Sequence, residues 1–328
     1  MPVNKSKVIS VLGLRIRDLL NSLTTWVGTS LRIVLRPSPV GRFALLWTYW
    51  RISLKENLLV GVFRRHISKE RILSQTICLG DYSAMPILFQ EVFLSGVYFF
   101  ASSSPAPKII DGGANIGVSI AYFKAIYPQC RIVAFEANDR TFALLAKTAE
   151  RNGWKDVELH HLGLHRTEGE LCFYDLNDVA GSLSSGFWQN VSADEAKRVS
   201  RVHTVPLSRY VDGRVDLLKL DVEGSEHAIL EELEESGKLG LIDRIILEYH
   251  HHVQPCEDIL GRFLSLLERG GFGYHLRAPL ALPFGRAEVQ NFMMYALQKG
   301  AVGNAAGAAR DPCSIAFCRI TAQYIVVS

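Results

Sequence analysis

The chain has 328 residues, 48% of them hydrophobic, with 36 Lys plus Arg against 33 Asp plus Glu. That is enough for one full catalytic domain with a smaller appendage, and it is the composition of a folded protein rather than a disordered one. The net charge of +3 hides an asymmetry: residues 1–80 carry 13 bases and three acids (Asp18, Glu56 and Glu70), a net of +10, which leaves −7 on the remainder.

Six scattered cysteines (78, 130, 172, 256, 313 and 318) with no C-x-x-C pair argue against a zinc site and a dense disulfide framework. A reducing cytoplasm is the simplest compartment. No uncharged run reaches the ~18 residues of a spanning helix. Arg15 and Arg17 interrupt the apolar stretch that a secretory signal would need, although a basic, acid-poor start also suits a transit peptide.

In chain order, residues 8–35 read as a helix with Leu12, Ile16, Leu19, Leu20, Leu23 and Val27 on one stripe. PSPVG at 37–41 breaks it, and FALLWTYWRISL predicts a second helix, aromatic and basic. Two readings of this region stay open: a cap packed on the catalytic domain, or peripheral contact with a membrane interface. A lead-in helix is expected over 84–99, and SSSPAP at 102–107 as a loop.

KIIDGGANIGVSIAYF, 108–123, reads as a buried strand, a glycine turn and a helix stopped by Pro128. RIVAFE, 131–136, predicts a second strand, and Asn138 or Asp139 caps a helix running to Asn152. A third strand is expected over 157–164, an extra strand over 169–174 and a loop over 180–188; VHTVPLSRYV leads into strand four, 215–221. Strand five spans 244–250, a helix 257–269, strand six follows Gly271, and 291–297 is a last, antiparallel strand. The stretch 300–310 reads as a flexible linker.

The glycine turn discriminates between ligands. The dehydrogenase fingerprint G-x-G-x-x-G finds Gly112 and Gly117 in the outer positions but Ala114 in the middle. A pyrophosphate over the turn would face the Asp111 carboxylate, whereas S-adenosylmethionine (SAM) carries no phosphate and brings an ammonium and a sulfonium. Glu136, ending the second strand, suits the two ribose hydroxyls. In LKLDVEGSE, period two puts Lys219, Asp221 and Glu223 on one face, and a lysine in a central strand needs partners, with Asp111 and Asp221 at hand.

DGGANIG, FEAND at 135–139 and LLKLDVEGSEHAILE at 217–231 resemble the FkbM family of SAM-dependent methyltransferases, over roughly residues 86–299. The resemblance implies a class I methyltransferase fold, a Rossmann-like α/β sheet of seven mostly parallel strands with the last antiparallel, and O-methylation as the commonest activity. The expected division is a basic helical region 1–85, a SAM-binding domain 86–299 and a tail 300–328.

Expected cofactor-binding residues are Asp111, Gly112, Gly113, Asn115, Gly117, Glu136 and Asn138, with both acids at exposed strand ends. Expected catalytic residues are His250 as first choice of base, then Asp221, with Glu223 orienting the ligands. His250, His251 and His252 are adjacent, but with no second cluster at ligand spacing no metal is expected, and His251 and His252 read as loop residues. The expected acceptor is a hydroxyl on a sugar, glycan precursor or small metabolite; the acidic catalytic half argues against a nucleic-acid partner. Rival readings are an NAD-dependent oxidoreductase and a non-catalytic protein that kept the fold.

Overall fold

A computed structural model describes residues 24–175, 180–181, 185–186, 197–251, 259–278 and 290–299. The expected linker over 300–310, His252 and the stripe positions Leu12 to Leu23 lie outside the described residues.

Helix α1 (residues 24–35) ends where Pro37 and Pro39 cannot continue it, and α2 (Arg42–Leu54) runs on into a wide π-helical turn, Lys55–Val62. The two helices are antiparallel: the Trp50 indole donates to Ser30 Oγ at 2.8 Å and the Arg42 guanidinium to the Val34 carbonyl at 2.9 Å. A hairpin that the sequence reading did not anticipate follows, β1 (Lys69–Ile72) and β2 (Gln75–Cys78).

The hairpin is gripped from both sides. Glu70, buried in β1, accepts from Arg51 at 3.0 Å, Lys55 at 2.8 Å and the Tyr82 hydroxyl at 2.7 Å. Burial pushes its carboxyl up, but Lys55, Tyr82 and Arg51 together hold it below the usual carboxylate range. On the other side Thr76 N–H donates to Asn152 Oδ1 at 2.8 Å and Cys78 N–H to Thr148 Oγ1 at 3.0 Å.

Helix α3 (Ala84–Leu88) extends into a π-helical turn, Phe89–Leu94, which ends short of the expected 99. The catalytic region then alternates strands and helices: β3 (Lys108–Gly112), α4 (Val118–Ile126), β4 (Arg131–Phe135), α5 (Asp139–Asn152) and β5 (Val157–His160). Next come β6 (Gly163–Leu164), β7 (Gly169–Asp175), β8 (Ser185–Gly186) and β9 (Arg198–Val205). The chain closes with β10 (Leu217–Leu220), α6 (Glu226–Glu235), β11 (Arg244–His251), α7 (Leu260–Arg269), β12 (Phe272–Arg277) and β13 (Gln290–Gln298).

The main sheet has the order β12-β13-β11-β10-β3-β4-β5. Only β13 is antiparallel to its neighbours, as expected for the last strand. Strand order reverses between β3 and β10, so the ligand crevice of such a sheet falls at their carboxyl ends. Period two distributes the core onto two faces: Ile109 and Leu217 join one apolar cluster, Ile110 and Leu218 the other. The first cluster also takes in Ile33, Leu45 and Ile52, so the described N-terminal helices share a core with the catalytic sheet.

The expected strand 157–164 is split. β5 stays in the main sheet, while β6 joins β9, β7 and β8 in a second, four-stranded sheet. β9 runs alongside β7 from Gly169↔Thr204 to Asp175↔Arg198, a strand that was not anticipated.

Replacing Glu70 removes the acceptor shared by α2, its π turn and Tyr82, so Glu70→Ala costs about 1–3 kcal/mol in urea unfolding. Because the folded carboxyl is held low, its stabilisation is full above the ordinary carboxylate range and is lost as pH falls through the lowered value. Glu70→Gln therefore reduces the acid sensitivity of unfolding; identical acid profiles for variant and parent would show that the cluster is not stabilising.

Candidate active site

A cleft of about 660 Å³ opens at the reversal point, lined by Gly113, Asn115, Glu136, Asn138, Asp221 and Glu223 among the expected residues. Phe135, Thr141, Leu162, Leu164, Phe173 and Val222 supply walls that the sequence reading did not place there. Leu164 and Phe173 come from β6 and β7, and a two-residue strand such as β6 carries too little pattern to be read in advance.

The glycine turn is required from within the fold. Gly113 has φ +77°, and a Cβ there would lie 1.8 Å from the Asp221 carbonyl oxygen. Close approach of β10's end, not of a ligand, demands the glycine. Gly117, the N-cap of α4 at φ +94°, faces Leu145, where a Cβ would meet Cδ1 at 3.0 Å. Gly112 and Gly117 thus shape the cleft from behind and do not line it.

Asp111 also departs from expectation. It is fully buried beneath the turn, with Oδ2 accepting from Ser119 Oγ at 2.6 Å and Oδ1 3.2 Å from Lys219 Nζ as an ion pair. Lys219 is 1% exposed and also donates to the carbonyls of Gly112 (3.2 Å) and Gly113 (2.6 Å), with Asp221 Oδ2 at 3.8 Å. Burial would lower its pKa, but Asp111 and Asp221 outweigh burial and raise it, so the ammonium persists. The partners expected for Lys219 are the observed ones.

Glu136 follows β4 and is also buried rather than exposed. Its Oε2 accepts from Asn115 N–H at 2.9 Å and its Oε1 from Asn138 N–H at 2.8 Å. Burial pushes the carboxyl up to about 7, against the pull of these N–H groups. Asn138 Oδ1 caps α5 by accepting from Arg140 N–H (3.0 Å) and Thr141 N–H (3.1 Å), as expected for a cap.

The second half of the site is acidic. Asp221 Oδ2 accepts from the Tyr98 hydroxyl at 3.1 Å. Glu223 takes φ +57°, a left-handed conformation unusual for a non-glycine residue. Its Oε2 lies 3.2 Å from His250 Nε2, while His250 Nδ1 lies 2.9 Å from Glu226 Oε1. Burial alone would lower the His250 pKa, but Glu226 and Glu223 outweigh it and push it up to about 10. At neutral pH the ring is an imidazolium donating from both nitrogens. A general base must arrive unprotonated, and the upward shift of His250 weighs against the role first expected of it.

The carboxyls around Asp221 respond to one another. Glu223, Glu248 and Glu91 are all raised, by burial first and with Asp221 adding to each. Among the described residues Asp221, Glu223 and His250 form a grouping with ligand atoms within 4.8 Å of one another, the donor types of a divalent-cation site. His251 lies in β11 and is buried, not in a loop.

A doubly wound sheet with one antiparallel strand, a glycine turn on β3 and strand-end acids on β4 and β10 defines the class I methyltransferase architecture. The methyltransferase FkbM domain matches residues 111–274, half of the chain. The chain belongs to the FkbM family of SAM-dependent methyltransferases. Methyltransferase 1 of Beauveria bassiana is 29% identical over 215 residues, covering 58% of this chain and 82% of that protein. Methyltransferase sdnD of Sordaria araneosa is 29% identical over 214 residues, covering 56% and 81%. The crystal structure of an FkbM methyltransferase from Methylobacillus flagellatus KT aligns with a TM-score of 0.40 at 16% identity, over 85% of this chain and 60% of that one.

Lys219→Met leaves Asp111 buried without its cation, a loss of about 3–5 kcal/mol of folding stability. The double variant Lys219→Met/Asp111→Leu recovers much of that loss in thermal melts; failure to recover any would show that the pair is not the source.

Proposed function

We propose that this chain is an O-methyltransferase that transfers the methyl group of SAM to a hydroxyl of a sugar, glycan precursor or small metabolite. The observation that carries this reading is the Glu223 carboxyl, 3.2 Å from His250 Nε2 in a cleft that Glu136 also lines. The cleft chemistry fits SAM: apolar walls from Leu162, Leu164 and Phe173 for an adenine, a strand-end carboxyl for a ribose diol, and excess negative charge for a sulfonium and ammonium. Against a pyrophosphate stand Glu136, Asp221 and Glu223, which line the cleft, rather than Asp111, whose charge Lys219 balances. When bound, SAM supplies an electrophilic methyl on a cationic sulfur.

Glu136 accepts from the ribose hydroxyls, and Gly113 and Asn115 shape the floor beneath them. Glu223 takes the acceptor's proton. Its side chain is 22% exposed and its pKa is raised toward the working pH by burial and by neighbouring carboxylates, which favours proton transfer. His250 is a positioning residue that holds Glu223 against Glu226, and Asp221, tied to Tyr98 and Lys219, orients the acceptor. An in-line displacement then depends on alignment and contact distance. Free thiols at Cys78, Cys130 and Cys172 support a reducing, cytoplasmic setting. No helix among the described residues is long and apolar enough to cross a membrane.

SAM affinity, measured by calorimetry, rises as pH increases through about 7, because the Glu136 carboxyl must ionise to accept from the ribose. Glu136→Gln flattens that dependence. Stronger binding of NADH than of SAM would overturn the cofactor assignment.

Glu223→Gln lowers release of S-adenosylhomocysteine, measured with a metabolite extract as acceptor source, by about 10²–10⁴-fold while SAM affinity is retained. Unchanged turnover in Glu223→Gln with loss in Asp221→Asn would move the base to Asp221.

A further inference from the structure

The N-terminal helices are apolar on two opposite faces, and the fold explains only one of them. Leu45 and Ile52 of α2 and Ile33 of α1 point into the shared core. On the other side of α2, Phe43, Trp47, Trp50 and Leu54 recur at spacings of four, three and four, one face of a helix, and all are exposed, Phe43 at 82% and Trp47 at 66%. α1 repeats the pattern with Val27, Leu31 and Leu35, with Leu31 at 57%. Because Trp50 bonds to Ser30 and Arg42 to the Val34 carbonyl, the two outward stripes lie side by side. Of the 16 large apolar side chains exposed among the described residues, 12 fall between Val27 and Phe63, so this is a patch and not the ordinary scatter of surface hydrophobics.

Charge decides what covers it. Residues 24–65 carry seven bases (Arg32, Arg36, Arg42, Arg51, Lys55, Arg64 and Arg65) and one acid, Glu56. A second copy of the same face would set like charge against like charge. Residues 1–23, with Lys5, Lys7, Arg15 and Arg17 against Asp18, are basic as well and add to the charge they would have to cover.

We propose that this face docks the protein on an anionic lipid bilayer, with Phe43, Trp47 and Leu31 entering the headgroup–acyl boundary and the arginines meeting lipid phosphates. Tryptophan suits that boundary because its ring is apolar and its N–H polar. An amphipathic helix lying in the interface needs a large apolar stripe flanked by cations, and both are present. The cap and membrane readings of the sequence are thus not rivals, since they use opposite faces of the same helices.

The test is sedimentation of full-length protein with vesicles of phosphatidylcholine, with and without phosphatidylserine. Binding is expected only with phosphatidylserine and weakens as salt rises. Phe43→Asp/Trp47→Asp reduces it by about tenfold or more, and Arg42→Ala by about fivefold. Thermal melts and SAM calorimetry on the variants show that the fold and cofactor cleft are intact, and they separate this proposal from the methyl-transfer reading. Full-length protein that stays in the supernatant with phosphatidylserine vesicles at low salt would overturn the proposal. So would a dimer in solution that Phe43→Asp/Trp47→Asp converts to monomers, because a second copy would then cover the face.

Discussion

A lysine ammonium with almost no access to water sits in the central strand of the sheet, and the site is built around its requirements. Isolated, such a charge would be lost or would unfold the strand. Lys219 avoids this by meeting Asp111, Asp221 and two carbonyls of the glycine turn at once. Each partner is fixed in turn: Asp111 by Ser119, Asp221 by Tyr98, the turn by β3. A single buried cation therefore ties the cofactor turn, the end of the neighbouring strand and the segment after α3 into one unit. Its stabilising effect is geometric more than energetic, since a buried pair gains little over a well-packed apolar substitute.

The second constraint is an imbalance of charge. Beyond Lys219 the site holds several carboxyls and, among the described residues, one further basic group, His250, drawn toward its protonated form by Glu226 and Glu223. Glu136, Glu223, Glu248 and Glu91 are all driven toward their neutral forms by burial. A positive charge brought into such a cleft would favour the ionised form of these carboxyls. Specificity and acid–base readiness then share one origin, because the groups that call for a cation are also the groups whose protons are easily exchanged.

Much of this was legible in the sequence for physical reasons that can be named. The strands of the main sheet carry β-branched runs bounded by turn residues, and β13 announced itself through NFMMYAL. Lys219 named its own partners, because a charge in a central strand has few ways to be satisfied. Three features were hidden. Burial of Asp111 and Glu136 depends on what packs above a strand end, which no local pattern records. The protonation of His250 depends on Glu223 and Glu226, 24 or more residues away in sequence and adjacent in space. The second sheet was hidden because β9, RVSRVHTV, lacks a clean period of two: Val199 and Val202 are three residues apart, the first exposed and the second buried.

The absence of a side chain at Gly113 has a consequence for tolerance to change. Main chain meets main chain there, with no room for one more carbon between the turn and the Asp221 carbonyl. The distance between the turn after β3 and the end of β10 is therefore set by main-chain contact. Side chains hanging from either edge can be exchanged while the ruler beneath them keeps its length.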